Sequence, residues 1–510
     1  MPAADNLAAQ PGDGQDAMKV PSPEEVICIL KRSEAKDAYE ILSLNQEEQD
    51  GKPSFTLCRS SRAGSGDDEN KALQHLFDDF VIGKPPLHLQ PGPQRYIHVL
   101  VSTHSGTGLS LQFYNTVLAP LLEAVGLSAS EEPERGGARQ QGSYHLLITQ
   151  DADSVKKFAR ELSSWGRNGE NVEHTIVLLS GDGGIVDLLN SYTSTDNNSV
   201  LSQDDIKPQS LPLIAILPLG TGNALFNSLH RAVGAPVAAS DLVQGLRTLL
   251  RGKAAPLPSF KAVFPEGSRT ITYSETADPA STESVSTEPT DSTPNLQEQT
   301  RYVTHLYGVV VASYGFHSQL VWESDTPSYR QHGAKRFQMV AQELLKESHA
   351  YRATVEIIRS TSRGETANTE RLDRDRHAYI LATPVSNLEK TFCISPASQP
   401  LDGQLRLVHF GPVDGAKTME IMMAAYDGGK HVDMRWGTTT VEGQSREEDT
   451  DGVGYEDINE VRITTHEEDA RWRKVCIDGT IVEIPTGGCM VVSKEIRRHL
   501  RVLVNESVVD

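Results

Sequence analysis

From residue 96 to about 252 short apolar runs alternate with amphipathic stretches. "YIHVLVS", "YHLLIT", "TIVLLSG" and "LIAILPLG" are unbroken apolar runs of strand length. After the first, "LSLQFYNTVLAPLLEAVG" places Phe113, Val117, Leu121 and Val125 four apart, the spacing of one helical face, with Pro120 expected to kink it. "DADSVKKFARELSSWG" opens on a capping Asp and reads as a helix, as do "GIVDLLNSY" and "GNALFNSLHRAV". Strands without polar alternation, each followed by a helix, predict a parallel sheet covered on both faces.

The pattern differs on either side. Residues 1 to 22 are polar and read as a disordered tail. Between 23 and 95, "EVICILKRS", "AYEILSL" and "SFTLCRSS" predict a strand-rich extension, and "NKALQHLFDDFVIG" a helix. From 257 to 510 many strand-like runs with few helices predict a β-rich, sandwich-like domain. Its runs include "SFKAVF", "TITYS", "YVTHLYGVVVAS", "YRATVEIIRS", "HAYILATPV", "LRLVHF", "RKVCIDGTIVEI" and "LRVLVN". Its clearest helix is "SYRQHGAKRFQMVAQELLKESH", where Phe337, Val340, Ala341 and Leu344 share a face that suits either core or a lipid-covering lid. Residues 191–210, 265–300 and 436–458 read as insertions too polar for a core. The fold class expected is an α/β nucleotide-binding domain plus a β-sandwich-like domain.

Charge and cysteine content narrow the function. A net charge of −21 argues against nucleic acid, which demands a basic footprint. Five scattered cysteines without a Cys-x-x-Cys spacing fit a reducing compartment better than a disulfide or zinc framework. No apolar run approaches the roughly 20 residues that span a bilayer. A cytoplasmic protein is expected, with at most peripheral contact to membranes.

Three glycine turns then stand out, each at the end of a predicted strand. Ser105, Gly106 and Gly108 lie in "VSTHSGTGLS"; Gly181, Asp182 and Gly183 in "LLSGDGG"; Gly220, Thr221, Gly222 and Asn223 in "LPLGTGNAL". Each alone is explained by a tight turn or a helix cap, Asp182 included. Together, at successive carboxyl ends of a parallel sheet, they converge on one cleft whose backbone amides suit phosphate.

These motifs, in this order, resemble the catalytic domain of the diacylglycerol kinase and sphingosine kinase family. "YGFHSQLVWESDTPSYRQHGAKRFQ", "ISPASQPLDGQLRLVHF" and "KVCIDGTIVEI" extend the resemblance from about 96 to 495. The resemblance implies an ATP- and Mg²⁺-dependent kinase acting on the hydroxyl of a membrane-derived lipid of diacylglycerol, ceramide or sphingoid type, with no metal ligands assigned. It implies Asp182 as the acid that takes the lipid hydroxyl proton. It implies nucleotide contacts at Ser102, Thr103, His104, Thr149, Asp187, the three glycine turns, Arg330, Arg336, Asp478, Gly479 and Thr480. Departures bear on activity and substrate. Ser102-Thr103 replaces the family's Asn-Pro, and Thr480 replaces the glutamate of its Asp-Gly-Glu. Gln319 and Val321 stand where sphingosine kinases carry acids for the substrate amine, which disfavours free sphingosine. A non-catalytic lipid- or nucleotide-binding relative and an NAD kinase-like enzyme remain the alternatives.

Overall fold

The computed structural model describes residues 21–31, 38–49, 51–63, 79–92, 94–103, 106–130, 142–162, 172–196, 211–230, 239–275, 296–333, 335–359, 369–437 and 450–509. Most of the tail at 1–22 and of the helix expected within 70–83 lie outside these residues.

The apolar runs between 95 and 218 build one sheet. Its order is Lys253–Pro256, Arg501–Val504, Leu213–Pro218, Glu173–Ser180, Arg95–Val101, Ser143–Ile148 and Ser128–Ser130. All pairs are parallel except that of the edge strand Lys253–Pro256 with Arg501–Val504. From Arg95–Val101 the chain builds outward through Ser128–Ser130 and Ser143–Ile148. It then crosses back to add Glu173–Ser180 and Leu213–Pro218 on the other side. The strand order therefore reverses between Arg95–Val101 and Glu173–Ser180. A crevice forms at the carboxyl ends of strands at such a point because neighbouring connections leave on opposite faces. Helices Ser154–Leu162, Asp182–Asp196 and Ala224–Leu229 bury Phe158, Leu188, Leu189 and Phe226 in one shared core with Ile176 and Ile214. Near Pro120 the helix at 110–124 passes through a π-helical stretch, Tyr114–Leu118. The wider i→i+5 turn absorbs the missing proline N–H, so the expected kink is realised as a π-bulge.

One boundary differs from the expectation. "LRVLVN" supplies Arg501–Val504 and returns to the α/β sheet instead of closing the β-rich domain. Among the described residues the 23–95 extension forms a four-stranded sheet that packs on the α/β core. Ile27, Leu42, Leu44 and Phe55 pack with the 110–124 helix and with helix Asp241–Arg251. Phe55 meets Phe113 edge-on at 5.3 Å. Arg247 donates to Val26 O at 2.8 Å and lies over the Phe80 ring.

The C-terminal half is a sandwich of antiparallel pairs. One sheet carries Ser259–Val263, Cys489–Glu495, Glu460–Thr465 and Tyr351–Ile358. The other carries Thr480–Glu483, Lys474–Ile477, Ala312–Gly315, Tyr379–Thr383 and Leu405–Phe410. Ala353, Val355, Ile463 and Val492 face Tyr314, Ile380, Leu407 and Val475 in the core between them. On its outer face the second sheet buries Tyr379, Leu381, Val408 and Phe410 against the first domain, so the two units share a core. "YVTHLYGVVVAS" is not one strand. His305–Gly308 pairs in the first sheet and Ala312–Gly315 in the second, broken at Val309–Val311. The expected insertion at 265–300 keeps Arg269–Glu275 and Leu296–Tyr302 as paired strands, and 436–458 keeps Thr450–Gly452 and Gly454–Ile458. The expected long helix divides at Gly333 (φ +57) into Pro327–Arg330 and Lys335–Glu347; Val340 and Leu344 are core, while Phe337 is exposed.

Candidate active site

The three glycine turns interlock. A Cβ on Gly106 would stand 2.7 Å from Thr221 N and 2.9 Å from Gly220 Cα. One on Gly220 would collide with Gly181 Cα and reach Asn223 Oδ1 at 2.8 Å. The first turn thus packs on the third and the third on the second, backbone to backbone. Only glycine permits that spacing. Thr107 Oγ1 donates to Leu219 O at 2.9 Å, a second tie between first and third turns. Thr103 donates to Thr149 twice, N to Oγ1 at 3.0 Å and Oγ1 to O at 2.8 Å, fixing the first turn to the neighbouring strand end.

Asp182 completes the lock. Its Oδ2 accepts Ala224 N–H at 2.8 Å and its Oδ1 accepts Leu225 N–H at 3.0 Å, so it caps the short helix after the third turn. These bonds take two of that helix's free amides away from any ligand. Asn223, at φ +51, staples its own turn: Oδ1 accepts Gly220 N–H at 2.9 Å and Nδ2 donates to Gly220 O at 3.0 Å. Burial pushes the Asp182 carboxyl above its usual range, and the Leu225 and Ala224 amides pull the other way.

Between these turns and the second domain opens a cleft of about 850 Å³. Ser102, Gly106, Thr149, Gly181, Asp182, Gly183, Asp187, Gly220, Thr221, Gly222, Asn223 and Arg330 line it, so twelve of the residues expected from sequence meet in one place. Thr103 and Gly108 stand outside the lining, and His104 and Ser105 lie outside the described residues. No side chain crowds a Cβ placed on Gly183, which leaves its backbone approachable at the start of helix Asp182–Asp196. A 15-residue helix opening there presents the positive end of its dipole.

Several expected contacts sit elsewhere. Asp478 and Gly479, at φ +47 and +87, form the two-residue turn between Lys474–Ile477 and Thr480–Glu483. Positive φ at both central residues is the geometry that Asp-Gly favours in hairpins. The Asp478 carboxylate accepts the amides of Val309 (2.6 Å), Val310 (3.1 Å) and Val311 (2.5 Å), the three residues where the chain changes sheet. Asp478, Gly479, Thr480 and Arg336, expected as nucleotide contacts, stand outside the lining of the cleft. Burial lifts Asp478 to about 7, and Asp182 adds to that lift, so the two carboxylates feel one another across the domain junction. Arg330 reaches the cleft already paired: Nε and Nη2 donate to Asp325 at 3.0 and 2.7 Å, and Nη1 to Tyr273 O at 3.2 Å.

Sequence reasoning missed Lys156, Asp151 and Tyr273, which also line the cleft. Lys156 Nζ lies 3.7 Å from Asp187 and 3.6 Å from Asp153. Asp187 is raised to about 6 by burial, against the pull of that ammonium. The signal for Lys156 was its place one turn into the helix that follows Thr149; Tyr273 carried none, because it arrives from the other domain.

The segment 97–257 matches the model of the diacylglycerol kinase catalytic domain. The matched segment carries all three glycine turns and the parallel strands other than Arg501–Val504. Among solved structures, the chain is similar to a diacylglycerol kinase from Bacillus anthracis str. Sterne at 13% identity and a TM-score of 0.41, covering 82% of this chain and 100% of that one. A second structure from the same organism, described as a candidate diacylglycerol kinase, gives 15%, 0.43 and the same coverage. No curated protein matches the sequence. Among the described residues no helix is long and apolar enough to cross a membrane.

Proposed function

We propose that this chain is an ATP-dependent lipid kinase that transfers the γ-phosphate to the hydroxyl of a neutral lipid alcohol of diacylglycerol or ceramide type. The observation that carries this reading is the interlocking of three glycine turns at the strand-order reversal, with Arg330 facing them across the cleft. Phosphoryl transfer needs little covalent help from a protein; it needs the phosphates held in line, their charge balanced and the hydroxyl placed. The open backbone at Gly183 and the N-terminus of helix Asp182–Asp196 suit the first task, and Arg330 and Lys156 the second.

Asp182 is the residue for the third. Each carboxylate oxygen accepts one amide and keeps a lone pair for the lipid hydroxyl. Its raised proton affinity makes it a better base than an exposed carboxylate. The hydroxyl oxygen attacks the γ-phosphorus as its proton passes to Asp182. The bond to ADP breaks, leaving lipid phosphate and ADP. Mg²⁺ would enter with the nucleotide and neutralise phosphate charge.

Helix Phe316–Ser324 supports a neutral lipid over a sphingoid amine. Gln319 is buried and donates to Glu323 at 2.6 Å, and Arg471 takes the same carboxylate at 3.0 Å. With Glu323 so engaged, this helix offers no spare anion to a sphingoid ammonium. Labelled ATP with Mg²⁺, presented with diacylglycerol, ceramide, sphingosine and NAD in parallel, tests the reading. Label is expected in a neutral lipid alcohol and little in sphingosine. Label in NAD alone would support a soluble-substrate kinase. ATP binding with no transfer would support a non-catalytic relative, which Thr480 in place of the family's glutamate favours.

A further inference from the structure

Arg330 carries five N–H donors in a rigid plane. Nε and Nη2 hold Asp325 side-on at 3.0 and 2.7 Å, and Nη1 holds the Tyr273 carbonyl at 3.2 Å. These bonds use one hydrogen on each nitrogen. What remains is one hydrogen on Nη1 and one on Nη2. Asp325 is the C-cap of helix Phe316–Ser324, and its amide bonds back to Trp322 O at 3.1 Å, so the tether is anchored in turn. The same carboxylate lies 3.9 Å from Arg336 Nη2 and so sits between two guanidiniums. Arg336 Nε is buried with no hydrogen-bond partner.

We propose that Asp325 is a positioning residue of the phosphate subsite: it fixes the plane of Arg330, which lines the cleft, so that its two remaining donors are held ready for the nucleotide phosphates. The inference rests on the kinase reading for the ligand but not on the identity of the lipid. Two effects of Asp325 oppose each other. Its charge repels phosphate, and its tether removes the rotamer freedom that Arg330 would otherwise lose on binding. Water weakens the repulsion, because the Asp325 side chain is 41% exposed. Water weakens the tether less, because three hydrogen bonds with fixed geometry hold the guanidinium through all three of its nitrogens. Pre-organisation therefore wins, because ordering a free arginine at each binding event lowers affinity. Tyr273 belongs to strand Arg269–Glu275 and lines the cleft itself, so the carbonyl that completes the tether comes from the second domain's sheet.

The test is a double-mutant cycle on ATP affinity, read by calorimetry on the full chain. Asp325→Ala is expected to weaken ATP about tenfold, and Asp325→Asn, which keeps one acceptor, by less. In an Arg330→Ala background Asp325→Ala is expected to change nothing further. Melting curves of both variants show whether the fold survives, and Asp325→Asn carries the test if the alanine variant does not fold. Tighter ATP binding in Asp325→Ala would overturn the proposal, because the carboxylate would then be a competitor for the phosphates. An equal loss with and without Arg330 would also overturn it, because the role would be structural. A wild type that binds no nucleotide sinks the kinase reading and this inference together; a wild type that binds ATP regardless of Asp325 sinks the inference alone.

Discussion

Replacing Asp182 by Asn separates the two tasks assigned to this carboxylate. In the wild type its two oxygens accept the amides of Ala224 and Leu225 at 2.8 and 3.0 Å. Asn keeps one acceptor and turns the other position into an NH₂ group that faces an N–H. The amide left without an acceptor costs about 1–3 kcal/mol. The first turn of helix Ala224–Leu229 should therefore open roughly ten- to a hundredfold more often, at about 1.4 kcal/mol per decade. Hydrogen exchange over residues 219–230 reads this directly. Loss of the base should lower phosphoryl transfer by about 10²- to 10⁴-fold. ATP affinity, measured on the same sample, should fall far less than the rate, because Arg330 and Gly183 remain. If the variant exchanges like wild type at 219–230, Asp182 does not clamp the third turn. If rate and ATP affinity fall by equal factors, its role is structural alone. If the rate is unchanged, it is not the base.

Further expectations bear on the same cleft. Gly220→Ala places a Cβ against the Gly181 backbone, an overpacking worth about 1–3 kcal/mol, so it should melt lower and bind ATP more weakly. Gly183→Ala meets open space and should melt at or above the wild-type temperature; equal melting of the two variants would mean the turns are not interlocked. Asp187 sits at about 6, and the negative charge of bound ATP should raise it further. ATP binding near pH 6.5 should therefore take up protons, seen as a buffer-dependent calorimetric enthalpy; one enthalpy in all buffers would refute this. Asp478, lifted to about 7 by burial, holds a proton that the unfolded chain has released between about pH 4 and 7. Its contribution to stability is thus present at low pH and lost as pH rises to 7. Relative to Asp478→Asn, wild type should be more stable at pH 5 than at pH 8, and a constant difference would contradict the shift.

Much of this site was legible in the chain because its parts are local. Each glycine turn follows its own apolar strand, and the alternation of strand and helix fixes which sheet edge they share. Ser102, Thr149, Asp187 and the residues of the second and third turns reach the cleft for that reason. What stayed hidden depends on partners distant in sequence. The cap that Asp182 makes is 42 residues away, and Asp478 serves amides 167 to 169 residues away. "GVVVAS" reads as a strand because its apolar run says nothing of a carboxylate that satisfies its amides instead of a neighbouring strand. "LRVLVN" is as apolar as any strand of the sandwich, and only the tertiary fold returns it beside Leu213–Pro218.

The central claim is tested most directly by counting both products of one reaction. Wild-type protein, ATP, Mg²⁺ and diacylglycerol or ceramide in mixed micelles are incubated together, and ADP and phosphorylated lipid are quantified from the same samples over time. The account predicts equal molar amounts of the two, both abolished in the absence of lipid. ADP without lipid phosphate, or neither product under conditions where ATP binds, would contradict it.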